Sequence, residues 1–138
     1  MGGIMSIRVG AMFESLFASE AMRRGLDVAT PSGHHLPFDL IVSNPSGKLF
    51  RVQVKGTSCD QGGGYYKFAT RRGGNNSKRV DYQTEIDILV GIVEKPGERI
   101  FYIIPNDVLG TQKQLKVRPS IASRAKYEKF REAWELFE

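Results

Sequence analysis

Phe38-Asp39-Leu40-Ile41-Val42-Ser43, then Pro45-Ser46-Gly47, then Leu49-Phe50-Arg51-Val52-Gln53-Val54-Lys55-Gly56-Thr57-Ser58 is the stretch that decides the fold. Two short apolar runs flank a cluster of turn residues, and this pattern predicts a β-hairpin. Side chains alternate across a strand, so Val52 and Val54 point one way while Arg51, Gln53 and Lys55 point the other. Polar residues in such a pattern commonly form a solvated strand face. Here the preceding strand also carries Asp39, which a hairpin would bring beside Gln53. An acid, an amide oxygen and an ammonium on one sheet face are the parts of a metal-assisted phosphodiesterase.

Asp39 followed by x-Gln53-x-Lys55 on the next strand resembles the PD-(D/E)XK nuclease superfamily, within it the branch of group I intron-encoded homing endonucleases. An Arg-Val-Gln-x-Lys strand, an early helix with a Glu, a Gly-rich middle and a later Ile-Asp strand mark that branch. Here they read Arg51 to Lys55, Glu14, Gly62-Gly63-Gly64 and Ile86-Asp87, spanning residues 8 to 107. The sequence departs from the superfamily at two points: Phe38 separates Pro37 from Asp39, and Gln53 replaces the usual Asp or Glu. The resemblance implies a restriction-endonuclease-like fold with Glu14, Asp39, Gln53 and Lys55 as catalytic residues. Glu14, Asp39 and Gln53 would hold Mg²⁺ or Mn²⁺, and Lys55 would orient a water or stabilise developing negative charge. From the residues alone, Glu14 reads only as an acid at the edge of a helix stripe, and Asp87 as a supporting or merely satisfied strand residue.

The chain of 138 residues suits a single domain, 1–138, with 41% hydrophobic and 25% charged residues, which is ordinary for a globular protein. The lone Cys59 excludes an internal disulfide and points to a reducing compartment. No apolar run approaches membrane-spanning length and no signal pattern opens the chain, so a cytoplasmic location with no membrane partner is expected. The formal charge of +5 fits a nucleic-acid partner.

Residues 6 to 25 read as a helix, capped by Ser6 and stopped by Gly25, with Val9, Met12, Phe13, Leu16 and Phe17 as its apolar stripe. Glu14 lies near Gly10, Ala18 and Ala21, small residues that would let the helix approach a sheet closely. A short strand, 27 to 30, leads to a loop containing His34 and His35, whose adjacency lacks zinc-ligand spacing. Between Gln61 and Val80 there are Lys67, Arg71, Arg72, Lys78 and Arg79, interleaved with Tyr65, Tyr66 and Phe68 and with no acid. This predicts a strand from Tyr65 to Thr70 and a mobile basic loop from Arg71 to Arg79; Lys67 and the four loop cations are the candidate DNA contacts. Ile86 to Val93 and Arg99 to Ile104 are core strands joined through Pro96-Gly97. Residues 106 to 118 read as a short helix or loop. Pro119 and Ser120 open a final helix through Phe137, with Phe130, Ala133, Trp134 and Phe137 at helical spacing. The expected class is α/β, a mixed central sheet flanked by an N-terminal and a C-terminal helix.

Three functions fit this reading. One is a metal-dependent DNA endonuclease that recognises sequence, homo-oligomeric (dimer or tetramer) because so small a chain offers little surface for a long target. Another is a structure-selective Holliday-junction resolvase on the same fold. The last is a non-catalytic nucleic-acid-binding protein in which Gln53 marks a decayed site. Retention of Glu14, Asp39 and Lys55 together argues against decay, since a binder needs none of them.

Overall fold

The hairpin forms where the sequence places it. In the computed structural model, residues 3–33, 35–72, 80–81, 85–110, 112–119 and 125–138 are described, with backbone alone at 3–5, 71–72 and 80–81. Strands β2 (Leu40–Ser43) and β3 (Leu49–Thr57) pair antiparallel, Leu40 opposite Val52 and Ser43 opposite Leu49. Asn44 ties the turn: its Oδ1 accepts from the Ser46 and Lys48 N–H groups at 3.1 and 2.9 Å. Strand β1 (Asp27–Ala29) adds to β2, and β3 continues into a parallel pair with β7 (Ile88–Lys95), which turns through Pro96-Gly97 into antiparallel β8 (Glu98–Pro105). The central sheet is therefore mixed, in the order β1-β2-β3-β7-β8.

Alternation along the strands builds two cores, one on each face. Val52, Val54, Val90, Ile92, Phe101 and Ile103 face helix α1 (Gly3–Arg23) and bury Phe13, Phe17 and Ala21. Leu89, Val93, Tyr102 and Ile104 face the other way. There they are covered by a separate two-stranded ribbon, β4 (Tyr66–Ala69) with β9 (Gln114–Val117), through Tyr66, Phe68, Leu115 and Val117. Gly91 permits this contact, since a β-carbon there would fall 2.7 Å from the Phe68 ring. Strands β5 (Arg71–Arg72) and β6 (Val80–Asp81) pair with each other, and α2 (Asn106–Leu109) follows β8.

Helix α1 ends as expected. Gly25 adopts φ 88°, the Leu26 N–H reaches the Ala21 carbonyl at 3.0 Å and the Gly25 N–H that of Met22 at 3.0 Å, a Schellman close. Its start differs: the helix is already formed at Gly3, so Ser6 lies inside it rather than capping it. Val9 and Met12 are exposed, and the buried stripe is Phe13, Phe17 and Ala21. Among the described residues no helix is long and apolar enough to cross a membrane.

Four further expectations are corrected. The strand from Tyr65 to Thr70 exists as β4 but belongs to the ribbon, not the central sheet. Its partner β9 occupies part of the segment read as helix or loop. The basic loop begins as strand at Arg71–Arg72. Instead of a C-terminal α-helix, residues 125–138 form two single 3-10 turns, Glu128–Phe130 and Trp134–Phe137. The reason is the sheet edge. Tyr102 bridges Arg131, the Glu132 N–H donates to the Phe101 carbonyl at 2.7 Å, and the chain crosses over β8. Phe130 thus packs with the ribbon-side core, while Trp134 and Phe137 enter the α1 side. One continuous helix could not place them on opposite faces, and the crossing also protects the β8 edge.

Candidate active site

Strands β2 and β3 separate at the point where the candidate acid stands. Asp39 directly precedes β2, and its N–H donates to the Val52 carbonyl at 2.8 Å. Continuing the register that sets Leu40 opposite Val52 puts Asp39 opposite Gln53. Its Oδ2 then accepts the Val54 N–H at 2.9 Å, so a carboxylate takes the place of a strand neighbour. Beyond that bond, Lys55, Gly56 and Thr57 keep β7 on one side, opposite Gly91, Ile92 and Val93, and have no β2 partner on the other.

The gap is a cleft of about 560 Å³. Helix α1 lines it with Val9, Gly10 and Glu14, and β3 lines it with Gln53 and Lys55, with Asp39 among them. The four candidate residues therefore share one cleft. What seats α1 here is Gly56: a β-carbon on it would lie 2.2 Å from the Phe13 ring, so the helix and β3 meet ring against backbone. Of Gly10, Ala18 and Ala21, the small residues expected to allow that approach, Gly10 has no such contact: among the described residues a β-carbon there would meet nothing within 4 Å. Ser6 and Gly10 line the cleft and were missed as site residues; a glycine inside a helix with no packing partner was the available signal at Gly10.

Burial raises the Asp39 carboxyl above the ordinary carboxylate range, against the opposing pull of the Val54 N–H and the Lys55 charge. Burial likewise lowers the Lys55 ammonium, which the Asp39 charge resists. The two are not in ion-pair contact among the described residues. Gln53 is 8% exposed, shares the sheet face of Leu89, and its amide makes no hydrogen bond to another described residue. Two carboxylates and an amide oxygen are hard donors of the kind Mg²⁺ and Mn²⁺ take, so this donor set fits such an ion. Among the described residues no three His, Cys, Asp or Glu side chains gather to hold a metal ion.

Asp87 stands apart from the cleft. Burial would raise its carboxyl, but the Arg51 guanidinium and the Arg51 N–H outweigh that and hold it below the usual range. Arg51 donates through its N–H at 2.7 Å and through Nε and Nη2 at 3.2 Å each, a clasp at the start of the β3–β7 pair. Lys67 is exposed on β4. Arg71 and Arg72 have only their backbone described, and Lys78, Arg79 and His34 lie outside the described residues. His35 is exposed and does not line the cleft.

A sequence profile for PD-(D/E)XK endonucleases matches residues 6–137. The chain belongs to the PD-(D/E)XK endonuclease family. The endonuclease is also similar to a solved structure, that of the bacterial homing endonuclease I-Ssp6803I, with a TM-score of 0.76 and 29% identity over 92% of this chain and 88% of that one. No curated protein matches it. Family and neighbour together establish the restriction-endonuclease-like fold and bear out the resemblance to the homing branch.

Proposed function

We propose that this endonuclease is a divalent-metal-dependent deoxyribonuclease of the homing-endonuclease kind, cutting phosphodiester bonds in DNA. The observation that supports the reading is the convergence of Glu14, Asp39, Gln53 and Lys55 on one cleft at the open edge of β3. Asp39, Glu14 and Gln53 would hold Mg²⁺ or Mn²⁺ through oxygen atoms; Asp39 keeps Oδ2 on the Val54 N–H, which fixes its orientation. When bound, such a cation would supply an activated water and charge neutralisation at the phosphoryl group. Lys55, positioned on the same strand face as Gln53, presents its ammonium to the attacking water or the phosphoryl oxygens. The water oxygen forms a bond to phosphorus and gives up a proton to solvent, one P–O ester bond breaks, and the departing oxygen takes up a proton from solvent.

Because Gln53 replaces a carboxylate, the site carries one negative charge fewer than two acids and a third would give. Its metal affinity would accordingly be modest, with the substrate phosphate needed to complete the site. Lys67 contacts the DNA together with Arg71, Arg72, Lys78 and Arg79, and the chain works as a homo-oligomer in the cytoplasm.

The test is incubation with plasmid, four-way junction and random duplex, each with Mg²⁺, Mn²⁺ or EDTA. Metal-dependent cutting at defined duplex sites is expected. Preference for the junction would make it a resolvase, and binding without cutting under any metal would make it a decayed binder. Asp39→Ala should abolish cutting while leaving DNA binding measurable. Lys55→Ala should abolish it with little loss of metal affinity, because an ammonium is not a ligand. Cutting by Asp39→Ala at the parental rate would sink the assignment.

A further inference from the structure

The β4–β9 ribbon has a buried face and an open one. Tyr66, Phe68, Leu115 and Val117 are buried against the sheet, so the alternate residues stand outward. Lys67 lies directly opposite Lys116, and Ala69 opposite Gln114. The register continues in both directions: Thr70 N–H donates to the Lys113 carbonyl at 3.1 Å, and one step the other way sets Tyr65 opposite Arg118. The open face is therefore Tyr65, Lys67 and Ala69 beside Arg118, Lys116 and Gln114. Its charged groups are all cations. None of Lys67, Lys116 and Arg118 makes an ion pair among the described residues, whereas the arginines at 23, 24, 51, 99 and 131 all do.

Like charges placed directly across two strands destabilise the pair. Lys67 opposite Lys116 therefore works against the fold, and the Lys116 ammonium rests over the Tyr65 ring, 5.6 Å from its centroid, not on an acid. A fold that tolerates this arrangement has it for an anionic partner. The shape narrows the partner further. Two strands about 4.8 Å apart with their side chains fit a B-DNA major groove about 12 Å wide, which admits a two-stranded ribbon. The outward positions 65 to 69 run about 13 Å, close to four base-pair steps. In such a groove a Gln amide pairs with the N6 and N7 edge of adenine, a small apolar side chain meets the thymine methyl, and Lys reaches guanine O6 and N7. Gln114 beside Ala69, and Lys67 beside Lys116, are those side chains in cross-strand register.

We propose that the outward face of the β4–β9 ribbon enters the DNA major groove and reads base edges, Gln114, Lys67 and Lys116 being specificity-determining residues. The ribbon is joined to the catalytic strand by the short loop between Thr57 and Tyr66. There Asp60 Oδ1 accepts the Gly62 and Gly64 N–H groups at 2.7 and 3.2 Å, so the reading element is tied to the cutting one by a hydrogen-bonded turn.

The inference rests on the DNA nuclease reading, and the experiment separates the two. The Asp39→Ala protein, which binds without cutting, selects duplexes from a randomised pool at physiological salt. The selection is repeated with Gln114→Ala and with Lys67→Thr/Lys116→Thr added. Gln114→Ala should relax discrimination at one or two adjacent positions by roughly 5- to 150-fold, and the lysine pair should relax neighbouring positions similarly. Melting of the paired-lysine variant, expected at or above the parental temperature because the repulsion is gone, excludes unfolding as the cause. Unchanged base preferences in both variants overturn the proposal, even where salt dependence weakens, since that result makes the ribbon a phosphate contact alone. A parent that enriches no sequence overturns it as well. Failure of the nuclease reading shows separately, as absence of metal-dependent cutting by the protein with Asp39 intact.

Discussion

Gly10 occupies the body of a helix, where glycine costs about 1 kcal/mol relative to alanine, and among the described residues nothing lies within 4 Å of where its β-carbon would stand. What it borders is the cleft. Gly10→Ala should therefore stabilise the protein by up to about 1 kcal/mol and at the same time weaken cutting, mainly through KM, because a methyl group now stands where substrate enters. Thermal melting and steady-state kinetics check both halves; cutting that keeps its parental KM would remove Gly10 from the entrance. Asp39 shows the same opposition in charge. Its folded-state carboxyl is raised by burial, so ionised Asp39 opposes folding as pH rises through that value. Asp39→Asn keeps an oxygen for the Val54 N–H and should melt higher than the parent at neutral pH without metal, while losing activity. Gln53→Glu adds a charge with the same reach, and calorimetry should show tighter metal binding in the absence of DNA; an unchanged affinity would place Gln53 away from the ion.

At the scale of elements, the Gly56–Phe13 contact decides where α1 sits. Gly56→Ala forces the helix off β3 and should cost about 1 to 3 kcal/mol, with Glu14 displaced and metal affinity lowered. Adding Phe13→Ala removes the clash, so the double variant should be more stable than the sum of the two singles indicates, a coupling that denaturant titrations measure. The Arg51–Asp87 clasp is different in kind, because it fixes the start of the β3–β7 pair and stays outside the cleft. Asp87→Asn should cost about 1 kcal/mol at neutral pH, the half-exposed geometry limiting the effect, and leave metal affinity as it was. The Asp87 carboxyl is held below its unfolded value near 3.9, so its contribution is present above that pH and fades as pH falls through the folded value. Denaturation midpoints of parent and variant should converge in acid.

These elements also show what the sequence discloses. The β2–β3 hairpin, the face shared by Gln53 and Lys55, and Asp39 beside them were legible because period-2 alternation and a local turn determine them. Strand β9 was equally local, Gln114, Leu115, Lys116 and Val117 alternating exposed and buried, yet four residues of that pattern are too few to outweigh a loop reading. The tail was not legible. Phe130, Ala133, Trp134 and Phe137 have helical spacing, and only the distant β8 edge, which the chain must cross at Arg131, selects turns instead.

Across the whole molecule, Lys67, Lys116 and Arg118 on the open ribbon face make no ion pair among the described residues. If Arg71, Arg72, Lys78 and Arg79 all touch phosphates, the quadruple Ala variant should flatten the plot of log affinity against log salt by about 3 to 4, roughly 0.9 for each contact. Titrations from low to physiological ionic strength give that slope; an unchanged value would make these residues bystanders. The two cores differ in how they are closed. The ribbon-side core is covered by strands drawn from the middle and later parts of the chain, while α1 is held by rings that come much later still. Phe17 stacks on Trp134 at 5.7 Å with planes 6° apart and touches Phe137 at 6.1 Å, and Asn44 binds the Phe137 carbonyl from 93 residues away. This arrangement acts as a clock during biosynthesis. The helix carrying Glu14 leaves the ribosome early and meets Gly56 on β3, but its core is closed only when Trp134 and Phe137 have followed it. A half-made chain would hold Glu14, Asp39, Gln53 and Lys55 with that core still open. Ribosome-held chains that stop before Trp134 should be inert, and those that extend past Phe137 and are released should cut, which would spare the nucleic acid around the site of synthesis.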